Sequence, residues 1–314
     1  MSAVFQPALL RAHLPAFFEG QAPASRAFSA QYAAYRQLYG LPPVDGLQSR
    51  LGWVSAGGRR LALQGWWRAS ARATLLVLHG YYDHMGLYRH VIDWALAQDL
   101  AVLACDLPGH GLSEGAPASI EDFAEYQQAL KALLASAQQL GLPEPWHMLG
   151  QSTGGAILLD YLLHKAPRPA LGQRILLAPL VRPQDWRRAR LTYHLLRPFV
   201  QQIPRRYSEN SADRAFLDFV QRDPLQARIL PTAWVGALAR WIGRIEAARP
   251  TDQPLLILQG DADRTVDWRH NLGVLSEKFP AAETLLLPGA RHHLVNEAPE
   301  QRQRLFELLA ARLG

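Results

Sequence analysis

The run His147-Met148-Leu149-Gly150-Gln151-Ser152-Thr153-Gly154-Gly155-Ala156-Ile157-Leu158-Leu159 reads as a short apolar strand, a glycine-bounded turn and the start of a helix. Glycines two residues either side of a serine let the chain double back tightly enough to leave the hydroxyl standing out of the turn. A serine so framed arises by chance in about one chain in ten of this length at average residue usage, so the five residues alone decide little. The strand before them and the helix after them decide. They predict Ser152 as an exposed nucleophile at the carboxyl end of a strand, and the competing reading, a glycine-rich turn with an idle serine, is the weaker one.

A serine hydroxyl needs a base to take its proton near neutrality, and the base needs an acid to orient it. After this kind of turn the partners follow in the order Ser, Asp, His. The apolar run Leu255–Leu258 ends in Gln259-Gly260-Asp261-Ala262-Asp263-Arg264, and Thr284–Leu287 ends in Pro288-Gly289-Ala290-Arg291-His292-His293. Both loops leave the carboxyl ends of strands, where a parallel sheet places its site. Asp263 is the expected acid and His292 the expected base, with Asp261, Asp267 and His293 as open alternatives on these grounds. Upstream, Leu76-Val77-Leu78-His79-Gly80-Tyr81 is a strand running into a loop that can give one backbone N–H to an oxyanion, and Thr153 can give the other. His79 is expected to hold that loop, and His84, His90 and His110 to be structural or peripheral.

Further apolar runs at Thr74–Leu78, Ala101–Cys105 and Ile175–Leu177 alternate with helical stretches near 88–98, 120–140, 153–164, 268–278 and 300–313. Near-continuous apolar strands suit a mostly parallel, doubly wound α/β sheet covered on both faces. Leu51–Val54 and Leu61–Trp67, joined through Ala56-Gly57-Gly58, read as a hairpin. From Val181 to about Pro250 no strand-like run is expected, only Arg, Trp and Leu at helical spacings. The chain therefore divides into an N-terminal arm packed on the domain (1–50), an α/β core (51–180 and 251–314) and a helical cap (181–250).

The 314 residues are 49% hydrophobic and 19% charged, a globular balance, with a formal charge of +6. Only Lys131, Lys165 and Lys278 of the 33 basic side chains are lysines, a skew that coding bias explains as readily as attraction to anionic lipid. No nucleic-acid recognition motif is found. The single cysteine, Cys105, excludes an intrachain disulfide and is expected in the core. Pro7 and Pro15 interrupt an N-terminus lacking the pattern of a secretory signal or membrane span, so a cytoplasmic location is expected.

His79-Gly80-Tyr81-Tyr82-Asp83-His84, Asp106-Leu107-Pro108-Gly109-His110-Gly111-Leu112-Ser113, Gly150–Gly154, Gly260–Asp263 and Gly289–His292 together resemble the α/β-hydrolase superfamily, in its monoglyceride lipase and lysophospholipase-like branch. The resemblance spans roughly residues 50–314. It implies Asp263 as acid, His292 as base and a cleaved lipid-like ester, with neither metal nor organic cofactor. Tyr81-Tyr82 departs from the small residues usual there and is expected to narrow the acyl entrance. Tyr82 and Gln151 are substrate-binding candidates. Trp186, Tyr193 and Phe199, with Leu195, Leu196, Trp234 and Trp241, either line an acyl tunnel or pack the cap's own core. Arg187, Arg188, Arg190, Arg205 and Arg206 fit phosphate headgroups, an anionic bilayer at the membrane periphery or a solvated face equally. An aminopeptidase or amidase, an acyltransferase, and an inactive ligand-binding module of the same fold are the competing functions. Oligomeric state is not legible.

Overall fold

The computed structural model describes residues 4–18, 25–43, 46–164 and 171–313. Parts of the N-terminal arm (1–3, 19–24 and 44–45) lie outside them. Eight strands form the central sheet: β1 (Gln48–Ala56), β2 (Arg59–Trp67), β3 (Ala73–Leu78), β4 (Leu100–Cys105), β5 (Trp146–Gln151), β6 (Leu171–Leu177) and, after an insertion carrying β7 (Gln202–Pro204) and β8 (Ile229–Pro231), β9 (Leu255–Gly260) and β10 (Ala282–Leu287). Their order is β1-β2-β4-β3-β5-β6-β9-β10. Strand β2 pairs antiparallel with both β1 and β4, and every pairing from β4 to β10 is parallel.

The alternation of side chains along each strand supplies two cores. On β3, Leu76 and Leu78 join one cluster, while Leu75 and Val77 join the other. The first cluster is covered by α4 (Ala124–Gln139), α5 (Thr153–His164) and α9 (Trp268–Lys278); the second by α3 (Arg89–Ala97) and α10 (Pro299–Leu313). Cys105 is buried in the first. Complete burial of all six β3 residues explains why their sequence shows no polar alternation.

The N-terminal segment, expected only as a packed arm, adds α1 (Pro7–Ala12) and α2 (Arg26–Tyr39), whose buried Phe28, Gln31, Tyr35 and Tyr39 recur at helical spacing. Ser25 caps α2 by accepting from the Phe28 amide, and Gly40 ends it at φ 61°. Between the helices the chain runs along the sheet edge: the Phe17 amide donates to the Trp53 carbonyl and the Trp53 amide to that of Pro15, each at 2.8 Å. Gly52 makes this approach possible, since a Cβ there would stand 2.7 Å from Phe17 Cα. The edge of β1 is thereby occupied.

Between β6 and β9 lie α6 (Trp186–Leu196), α7 (Arg214–Arg222) and α8 (Thr232–Glu246), with β7 and β8 paired as a short antiparallel ribbon. The expectation of a strand-free stretch is corrected here: three residues per strand are too few to show a period. Helix α8 is bolted to the core. Trp241 stacks on Phe123, its indole N–H donates to Asp160 Oδ2, and Arg244 pairs with the same carboxylate.

A second tie joins three distant parts of the chain. Asp223, just after α7, accepts from Tyr39 of α2 at 2.6 Å and faces His84 Nε2 at 2.8 Å. Burial alone would depress His84, but the facing Asp223 overrides it and holds the imidazole above its ordinary value. Burial would likewise raise Asp223, and His84 with the Tyr39 hydroxyl brings it below the usual carboxylate range. The Asp223 contribution is thus lost as pH falls through its lowered pKa, and that of His84 as pH rises through its raised one. Within that window, Asp223→Ala is expected to cost about 3 kcal/mol in urea unfolding, against little change for the exposed Asp218→Ala.

Candidate active site

Strand β5 ends at Gln151, and α5 begins at Thr153, leaving Ser152 alone at the turn with φ 53°. A non-glycine residue in the left-handed region is strained and persists only where its surroundings over-determine it. They do so here. The Ser152 amide donates to the Leu177 carbonyl, and its own carbonyl accepts from Ala156 and Leu180. A Cβ on Gly150 would collide with the Gly154 backbone, and one on Gly154 with the Leu78 carbonyl. Both glycines are therefore required by contact rather than by dihedral angle.

Ser152 Oγ lies 2.9 Å from His292 Nε2, and His292 Nδ1 lies 2.7 Å from Asp263 Oδ2. With Nδ1–H given to the carboxylate, Nε2 is free to receive the serine proton. Asp263 is held on both oxygens: Oδ1 accepts from the Thr265 and Val266 amides, and Oδ2 also from Gln259 Nε2. Burial would raise its pKa, but His292 and these donors bring it below the ordinary carboxylate range. It stays ionised, as an imidazole-orienting acid must. The alternatives are occupied elsewhere. Asp261 accepts from the Gly289 amide, Asp267 caps α9, and His293 points its Nε2 at Asp83, 3.0 Å away.

Two backbone segments flank the serine. Thr153 is the first residue of α5, where a helix leaves its N–H groups without intrahelical acceptors and its dipole positive. The loop after β3 passes beside it: a Cβ built on Gly80 would stand 3.4 Å from Ser152 Cβ. His79 fixes that loop, accepting from the Leu107 amide at Nε2 and facing the Gly80 carbonyl with Nδ1. Burial drives its pKa down to about 3, which keeps it in the neutral tautomer this pairing requires. Asp106, buried, accepts from the Met85 and Leu112 amides and so ties the Gly109–Ser113 turn to the same loop.

Residues 69–299 match the family model described as serine aminopeptidase, S33. The chain is 30% identical to human monoglyceride lipase over 264 residues, covering 81% of this chain and 86% of that protein. It is 27% identical to a monoacylglycerol lipase of Mycolicibacterium smegmatis, covering 82% and 95%. The fold is similar to that of a soluble variant of monoglyceride lipase from Saccharomyces cerevisiae solved with a substrate analogue, with TM-score 0.71, 18% identity, and 83% and 93% coverage. The chain belongs to the S33 family of α/β-hydrolases. Within it, the monoglyceride lipase branch is its place.

In this hydrolase a cavity of about 440 Å³ opens onto Ser152 and His292, roofed by the insertion. Tyr82 and Gln151 line it; Gln151 also donates to the His292 carbonyl at 2.9 Å. Trp186, Tyr193 and Phe199 do not line it, which corrects their placement. Trp186 is buried in the core, Tyr193 packs its hydroxyl against Gly236 of α8, and Phe199 is 84% exposed at the end of α6. Trp241 is in the core, and of the aromatic residues named in the cap only Trp234 reaches the cavity, stacked on Tyr81 at 3.8 Å. The walls sequence reasoning missed are Ile203, Tyr207, Phe216 and Val220, with Leu180 and Val266 from the core. Phe216 and Val220 sit four apart on α7, a helical pair that did signal a shared face.

Gly154→Ala is expected to reduce stability by at least about 2 kcal/mol, because rigid strand backbone lies where the methyl would go; chemical denaturation measures it.

Proposed function

We propose that this hydrolase cleaves the carboxylic ester of a monoacylglycerol- or lysophospholipid-like lipid through an acyl-enzyme on Ser152. The observation that carries the reading is the unbroken line of hydrogen bonds from Ser152 through His292 to Asp263, ending in a largely apolar cavity. Ser152 Oγ attacks the ester carbonyl while His292 takes its proton, and the oxyanion is held by the amides of Tyr81 and Thr153. His292 then passes the proton to the departing alcohol. Water, deprotonated by the same imidazole, attacks the acyl-enzyme and frees the acid and Ser152. The lipases among its relatives support an ester of this class.

The family description also favours a second reading, release of an N-terminal residue from a peptide. A free amine would need an unengaged carboxylate near the nucleophile. Asp83 is taken by His293 and Tyr88, and Glu209 by Arg214 and Arg291. Asp218, which also lines the cavity, is unpaired among the described residues but exposed to solvent, where its pull on an amine is weak, and this weighs for the ester.

The insertion acts as a lid in this reading, and its outer face as the contact with lipid. Only Trp186 of α6 is buried, while Leu191, Leu195 and, just beyond, Phe199 are 63%, 65% and 84% exposed among Arg187, Arg188 and Arg190. Apolar side chains ringed by arginine suit the headgroup boundary of an anionic bilayer. Among the described residues no helix is long and apolar enough to cross one.

A fluorophosphonate probe is expected to label wild-type protein at Ser152 and not the Ser152→Ala variant; an unlabelled wild type would overturn the mechanism. Asp263→Asn is expected to lower kcat by about 10⁴, far more than Asp261→Asn, when assayed on monoacylglycerols and p-nitrophenyl esters. Replacing Leu191, Leu195 and Phe199 together by serine is expected to abolish co-sedimentation with phosphatidylglycerol vesicles while leaving turnover of a soluble short-chain ester within about twofold.

A further inference from the structure

Of the arginines in the insertion, one stands apart. Arg205 follows β7 directly, and its amide donates to the Arg228 carbonyl at 2.9 Å, so its backbone is set by the ribbon. Its guanidinium lies 3.9 Å from the Tyr82 ring centroid and 4.5 Å from that of Tyr207, and all three residues line the cavity that opens onto Ser152. Nη1 donates to the Gln226 side chain and the Ala227 carbonyl. Nε and Nη2 meet no acceptor among the described residues, and no carboxylate there comes within 4 Å of the group. Burial lowers its pKa from the ordinary value and outweighs the opposing pull of Tyr207, Tyr82 and Asp83, as expected of a cation drawn partly out of water with no ion-pair partner. The carboxylates lining the same cavity do not supply one. Asp83 and Glu209 are paired as described, and Asp218 lies on the exposed side of α7.

Tyr82 carries a second observation. Its φ is 69°, a conformation that a bulky aromatic residue adopts only under constraint, and it is the residue next to the Tyr81 amide. The strained backbone presents a ring to Arg205 one residue from the oxyanion loop. An arginine stacked on aromatic faces, with one edge of its fork free, matches two oxygens of a phosphate.

We propose that Arg205 is a headgroup subsite that takes a phosphate on the alcohol side of the ester, so that phosphate-bearing monoacyl lipids are preferred to neutral glycerides. This rests on the lipid-ester reading and narrows it. The apolar walls Leu180, Phe216, Val220 and Val266 are left for the acyl chain.

The test compares a 1-acylglycerol with the 1-acylglycerol 3-phosphate of the same short acyl chain, below their micellar concentrations, using the full chain. The phosphate ester is expected to have a kcat/KM on the order of tenfold higher, carried by KM. R205M is expected to erase that ratio and R205K to retain part of it. Equal turnover of the two esters by the wild type, or a fall for both by one common factor in R205M, would overturn the subsite. Calorimetric titration with glycerol 3-phosphate provides a readout independent of catalysis. Binding to the wild type and not to R205M supports the subsite even if no ester is cleaved, whereas absence of binding to both refutes it. Loss of all ester cleavage with binding intact would instead count against the hydrolase reading.

Discussion

The structure depends on how closely the first turn of α5 approaches the end of β3. Gly154 lies against the Leu78 carbonyl with no room for a methyl group. That approach seats Ser152 beside the Gly80–Tyr81 loop, and it directs the amide end of α5 at the same point. The serine side chain, the Gly80 backbone and the amino end of α5 lie together because two backbones touch. A larger residue at 154 would separate all of them together. The strain at Ser152 is borne by hydrogen bonds from three segments, Leu177, Ala156 and Leu180, which are themselves parts of the sheet, of α5 and of the loop after β6.

Around that point, identical side chains are given different work by their partners. His292 and His293 are neighbours in sequence, yet the first bridges Asp263 and Ser152 while the second faces Asp83, which also accepts from Tyr88. His79, packed close by, is kept neutral by burial, and its Nε2 accepts the Leu107 amide proton. The cap-side loop is coupled to the same place. The His293 amide donates to Asn210, Ser211 donates to the Asn296 carbonyl, and the Arg291 amide donates to Glu297. The loop bearing the imidazole is thus braced from the insertion as well as from the sheet.

The inner strands were legible because β3, β4 and β9 are nearly continuous apolar runs that give way to histidine, aspartate or glycine, so that their boundaries came within a few residues. The meeting of Ser152, Asp263 and His292 was legible from their order after successive strands. The choice of Asp263 over Asp261 was not, since both occupy one turn; it needed the resemblance, and the geometry separates them by which oxygen faces the imidazole. In the insertion, Trp and Tyr at helical spacing reveal that a face is buried without revealing against what. Trp186 and Trp241 went to the core for that reason. Arg205 looked like its neighbours in sequence, and only the positions of Tyr82 and Tyr207 distinguish it. Helix α2 carries a helical period in Phe28, Gln31, Tyr35 and Tyr39 that the sequence reading passed over.

The shared carboxylate of Asp223 bears on modularity. Its partners are Tyr39, upstream of the segment that matches the family, and His84, within it, while Asp223 itself belongs to the insertion. The stretch recognisable as a hydrolase and the stretch that behaves as one mechanical unit therefore have different ends. A chimera built by exchanging the insertion alone would remove Asp223, the acceptor that Tyr39 and His84 share among the described residues. Recombination that respects this fold must carry the N-terminal segment and the insertion as a pair, although some 180 residues separate Tyr39 from Asp223 along the chain.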